Sequence, residues 1–213
     1  VDMKWVEYKV GCLQKQVYEI SSKDFERAKE LFNILNVPYY TAPWEAEKTC
    51  AKLCIDGRVD AVLSEDTDVI AYGCPVFLSK IDIMKETVVR VKYDSCLEQM
   101  NLNHEQFLDL CIMCGTDYNP NIPRVGSKTA YKLLLEHTSI ETVAENTELD
   151  TSVLKHVRSR ELFRHFEEDD IGNVPFCGTP DFKKLTMFLT KCNIRRSVDS
   201  LVSDFTEVEI TFE

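Results

Sequence analysis

Asp60-Ala61-Val62-Leu63-Ser64-Glu65-Asp66-Thr67-Asp68 decides how this chain is read: a short apolar run that empties into an acidic turn. The first half has the composition of a buried strand. Ligand sites in open α/β sheets collect beyond the carboxyl ends of such strands, so chemistry is expected at Glu65-Asp66-Thr67-Asp68. Upstream, Pro43 can open a helix that carries Ala46, Cys50 and Leu53 inward and stops at Gly57. Glu45 and Glu47 fall in its first turn. Downstream, Val76-Phe77-Leu78 and Thr87-Val88-Val89-Arg90-Val91 read as strands, the second alternating and near an edge. Asn103 caps a helix with Phe107, Leu108, Cys111 and Ile112, which Gly115-Thr116-Asp117-Tyr118 ends.

Further out, residues 6–20 read as irregular or extended. Ser21-Ser22-Lys23-Asp24 signals a helix start, followed by Phe25, Ala28, Phe32 and Leu35 on one face. Val37-Pro38-Tyr39-Tyr40 reads as a short strand. Beyond Tyr118 the pattern is helical over residues 127–136, 139–144, 154–166, 181–192 and about 196–205. Alternation followed by a helical run predicts an α/β fold, a mostly parallel sheet flanked by helices, with a helical lobe. The expected division is residues 1–118 for the core and 119–213 for the lobe.

The 213 residues are 44% hydrophobic and 29% charged, ordinary for a folded domain. No apolar stretch approaches the ~20 residues of a membrane span, and no secretory segment opens the chain, which predicts an intracellular protein. A first residue of Val1 suggests a fragment or processed product. Nine cysteines, an odd number, argue for buried reduced thiols rather than a disulfide framework. The lone Cys111–Cys114 pair lacks the second pair a zinc site needs. A formal charge of −11 excludes a simple nucleic-acid coating protein. It permits nucleic-acid chemistry where carboxylates gather around metal ions and basic residues line a separate track.

Three acidic clusters each sit at the end of an apolar element: Glu45 with Glu47, Asp66 with Asp68, and Asp117. Hard divalent cations bind carboxylates, waters and phosphate oxygens. Two of them about 4 Å apart can activate a water and stabilise the leaving oxygen of a phosphodiester. Each cluster also has a bland reading. First-turn glutamates suit a helix dipole, Asp-x-Asp occurs in plain turns, and Asp117 can be a cap. Glu45 and Glu47 point to opposite sides of a helix, and Glu47, on the Cys50 and Cys54 side, is the preferred closer ligand.

Their order decides between these readings. Pro43-Trp44-Glu45-Ala46-Glu47, then Ser64-Glu65-Asp66-Thr67-Asp68, then Leu110-Cys111-Ile112-Met113-Cys114-Gly115-Thr116-Asp117-Tyr118 resemble the internal motifs of the flap endonuclease family. Leu102-Asn103-His104-Glu105-Gln106-Phe107 adds to the likeness, which runs from about Lys15 to Val143. The resemblance implies a PIN-like nuclease core. Glu45, Glu47, Asp66, Asp68 and Asp117 would be the carboxylates of two Mg²⁺ or Mn²⁺ ions, with Glu65 a neighbour only. The implied reaction is hydrolysis of a phosphodiester at a five-prime flap or junction, water being the nucleophile.

Ile122-Pro123-Arg124-Val125-Gly126-Ser127-Lys128-Thr129-Ala130 resembles the family's helix–two-turn–helix element. It implies duplex contacts from Arg124, Gly126, Ser127, Lys128, Thr129 and Lys132, and a monovalent cation in the loop. Gly126 lets backbone come close, and the helix N-terminus offers amides to a phosphate. The family typically carries glycine where this chain has Arg124. Further metal-binding aspartates would come from an N-terminal segment, of this protein or a complementary chain. The family's sliding-clamp peptide is not found in Val208-Glu209-Ile210-Thr211-Phe212-Glu213.

Basic residues crowd two stretches, Lys155, His156, Arg158, Arg160 and Arg164, then Lys183, Lys184, Lys191, Arg195 and Arg196, either a DNA track or a solvated face. The acidic run at residues 167–170 interrupts the track. Branched DNA is the expected partner, with repair or replication in the nucleus of a eukaryote as the setting. Two rivals stand beside the nuclease: a non-catalytic DNA-binding or scaffolding remnant, and a small-molecule phosphohydrolase using Asp66.

Overall fold

In the computed structural model, residues 20–166, 172–199 and 201–202 are described, together with Met3 and Val6. The acidic run at 167–170 therefore falls outside the described residues, as does the extended reading of residues 6–20 except at Val6, which is helical, and at Ile20. So does the end of the helix expected at 196–205, of which Val198, Asp199, Leu201 and Val202 are helical.

Two compact units are drawn from this chain, one from Val1–Tyr40 with Pro175–Glu213, the other Thr41–Val174. The boundary expected after residue 118 falls inside the second unit. The first unit is built on helix α1 (Ser22–Leu35), whose Ser21 cap exchanges hydrogen bonds with Asp24: the Ser21 amide donates to Asp24 Oδ2 at 2.9 Å. Asn36, at φ 51°, ends it. Val37–Tyr40, expected to be a strand, pairs with none among the described residues and runs as irregular chain. The unit also contains a helix over Phe182–Lys191, which buries Leu185 and Phe188 against Ile34.

The second unit holds the larger core. Helix α2 (Ala46–Ile55) starts at Glu45, two residues after Pro43, and buries Ala51 and Cys54. Strand β1 (Val62–Leu63) leads through the acidic turn into the short α3 (Asp68–Ala71). Strands β2 (Val76–Asp82) and β3 (Thr87–Lys92) follow. The order is β1-β2-β3, with β1 parallel to β2 and β2 antiparallel to β3. The α/β core with flanking helices stands, but the described sheet is mixed, not mostly parallel. A four-residue connection cannot carry the chain back for a parallel return. Leu63, read as buried, is 54% exposed, because β1 is paired on one side only among the described residues.

Helix α4 (Tyr93–Met100) leaves β3 directly and ends at Asn101 in the left-handed region. In α5 (His104–Cys114) the expected Asn103 cap is present, its side chain accepting from the Gln106 amide at 2.9 Å. The lobe then continues through α6 (Ser127–His137), α7 (Ile140–Asn146), a 3₁₀ turn (Thr151–Leu154) and α8 (His156–Arg164). The single helix expected over 154–166 is broken at Lys155, whose φ of 45° ends the 3₁₀ turn and restarts the chain. The Phe182–Lys191 helix is α9. Both α6 and α8 pack on α5, which explains why core and lobe form one unit.

All eight described cysteines are free. Cys54 and Cys74 are buried as expected, whereas Cys50 and Cys114 are exposed. Among the described residues, no helix is long and apolar enough to cross a membrane.

Candidate active site and nucleic-acid interface

The acidic turn after β1 is held by its own backbone. Ser64 Oγ accepts from the Asp66 amide at 3.0 Å, and Asp66 Oδ1 accepts from the Asp68 amide at 2.9 Å. Glu65 turns the other way and accepts from the Lys80 amide at 3.1 Å. Lys80 sits at φ 51° where the β2–β3 register slips, so Glu65 braces that irregularity. This accounts for a third carboxylate in the turn without giving it a ligand's role.

Asp117 lies on a second fixed turn. Gly115 leaves α5 at φ 90°, and a Cβ there would come within 3.1 Å of the Asn121 amide nitrogen. Buried Asn119 then ties the loop down, donating to Ile112 O at 2.7 Å and Pro120 O at 3.0 Å. Thr116 Oγ donates to Asn119 Oδ1 at 2.7 Å. Behind this loop the Tyr72 and Tyr118 hydroxyls meet at 2.7 Å, and Tyr118 packs edge-on against Phe163. Neither Asn119 nor the tyrosine pair was found from the sequence. The only available signal was an amide residue two places after an exposed aspartate.

Electrostatics relate the three clusters to one another. Burial first, then the negative charges of Asp66, Asp117, Glu45 and Glu47 in that order, push the Asp68 carboxyl up to about 6. Every sequence-predicted carboxylate is therefore within electrostatic reach of Asp68. Glu45 presses on Asp68 more than Glu47 does, and it also helps raise Tyr118 and Tyr72, although burial dominates both. Helix spacing favours Glu47 as the closer ligand; its charge acts on Asp68 and, after burial, also raises the Cys50 thiol.

The five carboxylates do not form a closed cage. Among the described residues, no three His, Cys, Asp or Glu side chains are gathered tightly enough to hold a metal ion. As a donor set, five carboxylates in one neighbourhood suit a hard divalent cation.

The expected duplex grip begins in the loop before α6. Arg124 occupies the left-handed region at φ 68°, where glycine is favoured. Gly126 is extended at φ −94°, with nothing within 4 Å of an added Cβ. Neither its own conformation nor packing requires glycine there. Gly126 precedes α6 without a side-chain cap, so the helix's first turn faces outward. Ser127, Lys128, Thr129 and Lys132 are exposed beside it.

The basic helix α8 serves a different purpose in part. Arg160 reaches Asp109 through Nε at 2.6 Å and Nη2 at 2.6 Å, and Glu141 at 2.5 Å and 2.9 Å. Asp109 is 3% exposed and also accepts from the Ile140 amide at 3.2 Å. His156 lies 3.2 Å from Glu141. Arg160 and His156 are thus joined to carboxylates inside the lobe, leaving Arg158 and Arg164 on the open side.

The XPG I-region family model matches residues 36–117, the span from the end of α1 to Asp117. A probable RAD2-like endonuclease of Invertebrate iridescent virus 6 is 33% identical over all of this chain and 56% of its own length. Flap endonuclease 1 of Zea mays is 37% identical over 85% of this chain and 50% of its own. This chain thus spans about half the length of the curated relatives it matches. Flap endonuclease-1 from Methanococcus jannaschii superposes with a TM-score of 0.72 at 24% identity, over 97% of this chain and 67% of that one. The catalytic core of Rad2 in complex with DNA substrate gives a TM-score of 0.75 at 19% identity, over 93% and 73% of the two chains. Those two likenesses establish the PIN-like α/β nuclease fold, and the sequence matches support assignment of the chain to the flap endonuclease family.

Proposed function

We propose that this chain is the carboxylate-bearing part of a structure-specific DNA nuclease, which hydrolyses phosphodiesters at five-prime flaps or junctions using two divalent ions. The observation that carries this reading is the electrostatic convergence of Asp66, Asp117, Glu45 and Glu47 upon Asp68. Glu45, Glu47, Asp66, Asp68 and Asp117 would hold Mg²⁺ or Mn²⁺, which supplies charge neutralisation and an activated water when bound. Asp66 is tied into the turn by the Asp68 amide and the Asp117 loop is braced by Asn119, so the chain's own work would be to bring these carboxylates into one neighbourhood. Relatives with flap endonuclease names support the substrate class.

The exposed Leu63, on the side of β1 that is unpaired among the described residues, favours completion of the site by further structure against that strand. An N-terminal segment, of the same protein or a complementary chain, is the proposed source. Arg124, Gly126, Ser127, Lys128, Thr129 and Lys132 would hold duplex phosphates without reading sequence. A monovalent cation in that loop belongs to the same proposal and would make duplex binding depend on K⁺. A DNA substrate sets the protein inside the cell, in the nucleus of a eukaryote.

The test is cleavage of a flap substrate in Mg²⁺ and in Mn²⁺ by the whole protein. Asp66→Ala and Asp68→Ala should abolish cleavage and keep DNA binding. Lys128→Ala should weaken binding and lower the salt slope by about one. Equal loss of binding in all three variants contradicts this division. Binding without cleavage in the parent protein selects the non-catalytic remnant instead.

A further inference from the structure

An open groove of about 910 Å³ runs from the acidic site along α8, and it includes Glu45 and Tyr118 at one end. With Arg160 neutralised by Asp109 and Glu141 behind it, the lining still carries Lys48, Arg158 and Arg164 against Glu45 and Glu161. That local excess of positive charge occurs in a chain of net −11. Trp44 stands in the same groove, 71% exposed, one residue before Glu45. A large ring held in water at the rim of a site has no role in the core.

We propose that Trp44 and the Arg158–Arg164 face of α8 form a seat for single-stranded DNA beside the carboxylates, with one base stacked on the indole. Single strands are held by aromatic platforms next to cationic tracks, because every base has a π-face and every linkage a phosphate. Both features meet here within one groove. Arg160 is excluded from the seat, since Asp109 and Glu141 already engage its guanidinium. Arg158 pairs with Glu161 at 3.4 Å and Arg164 with Glu105, both at the surface. Exposed pairs of this kind contribute little, so a phosphate can take either arginine over. Duplex contacts fall to the Gly126–Lys132 region, and the groove would steer the unpaired strand towards Asp68.

The inference rests on the nuclease reading but is tested without metal. The chain has two tryptophans, Trp5 and Trp44. In a full chain carrying Trp5→Phe, Trp44 reports alone. Titration with an oligothymidylate of about eight residues in EDTA should quench its fluorescence saturably. Trp44→Leu should weaken binding of that strand, read by anisotropy, about tenfold, with Trp44→Phe retaining most of the affinity. Arg158→Ala with Arg164→Ala should reduce its salt slope. Absence of quenching, equal quenching by a blunt duplex, or a Trp44 shielded from acrylamide by another part of the protein would each overturn the seat. Flap cleavage without Trp44 quenching discards the groove and keeps the nuclease. Quenching without cleavage keeps the groove and discards the nuclease.

Discussion

Two groups of carboxylates in the same compact unit are used in opposite ways. Around Asp68, burial and the charges of four other acidic side chains raise that carboxyl's cost of ionisation. Around Asp109, buried under α7 and α8, each carboxylate oxygen meets a guanidinium or an amide. The first arrangement weakens the fold and suits a cation supplied from outside. The second supplies its own cation and fastens the helix that leads into the Asp117 turn to the lobe behind it. The lesson is that an aspartate's role is set by whether the fold provides its counter-charge.

The comparison breaks most severely through Arg160→Met. Asp109 would be left buried and unpaired, which costs about 3–5 kcal/mol. Urea unfolding should show this as a lower midpoint with an unchanged slope. Adding Asp109→Leu should restore most of the loss, because what hurts is the orphaned charge. A single Arg160→Met variant as stable as the parent would show that the node does no structural work.

The pH dependence of the node has a definite sign. Hydrogen bonds from Arg160 hold the Glu141 carboxyl down at about 2, below its ordinary 4.5. A lowered carboxylate contributes stability above its unfolded value, and loses it as pH falls through the folded one. Acid unfolding between pH 4.5 and 2 should therefore be less steep in Glu141→Gln than in the parent.

Asp68→Asn sharpens the other side of the contrast. A carboxyl raised to about 6 holds a proton that the unfolded chain releases near 4, so ionised Asp68 opposes folding at pH 7. Removing that charge should stabilise the metal-free protein by about 1 kcal/mol, allowing for solvent screening of a half-exposed group. The gain should vanish below pH 4, where both states are protonated. Thermal unfolding at pH 7.5 and pH 4 in EDTA measures it. A destabilised Asp68→Asn at pH 7.5 would mean the clusters do not converge.

The acidic rim was legible in the sequence because its clusters follow apolar elements, and their order resembles a known family. Asp109 was not, since its partner lies 51 residues away on a helix that looked merely basic. Composition could not distinguish Arg160, committed to the lobe, from Arg158 on the open side. Helix α5 was read correctly because its cap and its glycine stop are local signals. The β1 strand was misread at Leu63, since burial depends on what lies beside a strand. The left-handed Lys155 left no signal, for lysine is not a residue that marks a break.

The loop before α6 belongs with the acidic rim, because it too holds residues the fold does not favour. Arg124 sits at φ 68°, where glycine would be at ease, and Gly126 sits at φ −94°, where any residue would be. Arg124→Gly should relieve backbone strain but add freedom to the unfolded chain, for a net gain of a few tenths of a kcal/mol. Gly126→Ala should leave stability within about 0.5 kcal/mol, since a poorer helix cap offsets the lost chain entropy. Space around Gly126 is open in the protein alone, so only an approaching ligand can object to a methyl group there. If that ligand is a duplex phosphate, Gly126→Ala should weaken duplex binding several-fold at unchanged thermal stability. Unchanged binding would mean the bare backbone at Gly126 is not there for DNA, and the loop would leave the functional side of the comparison.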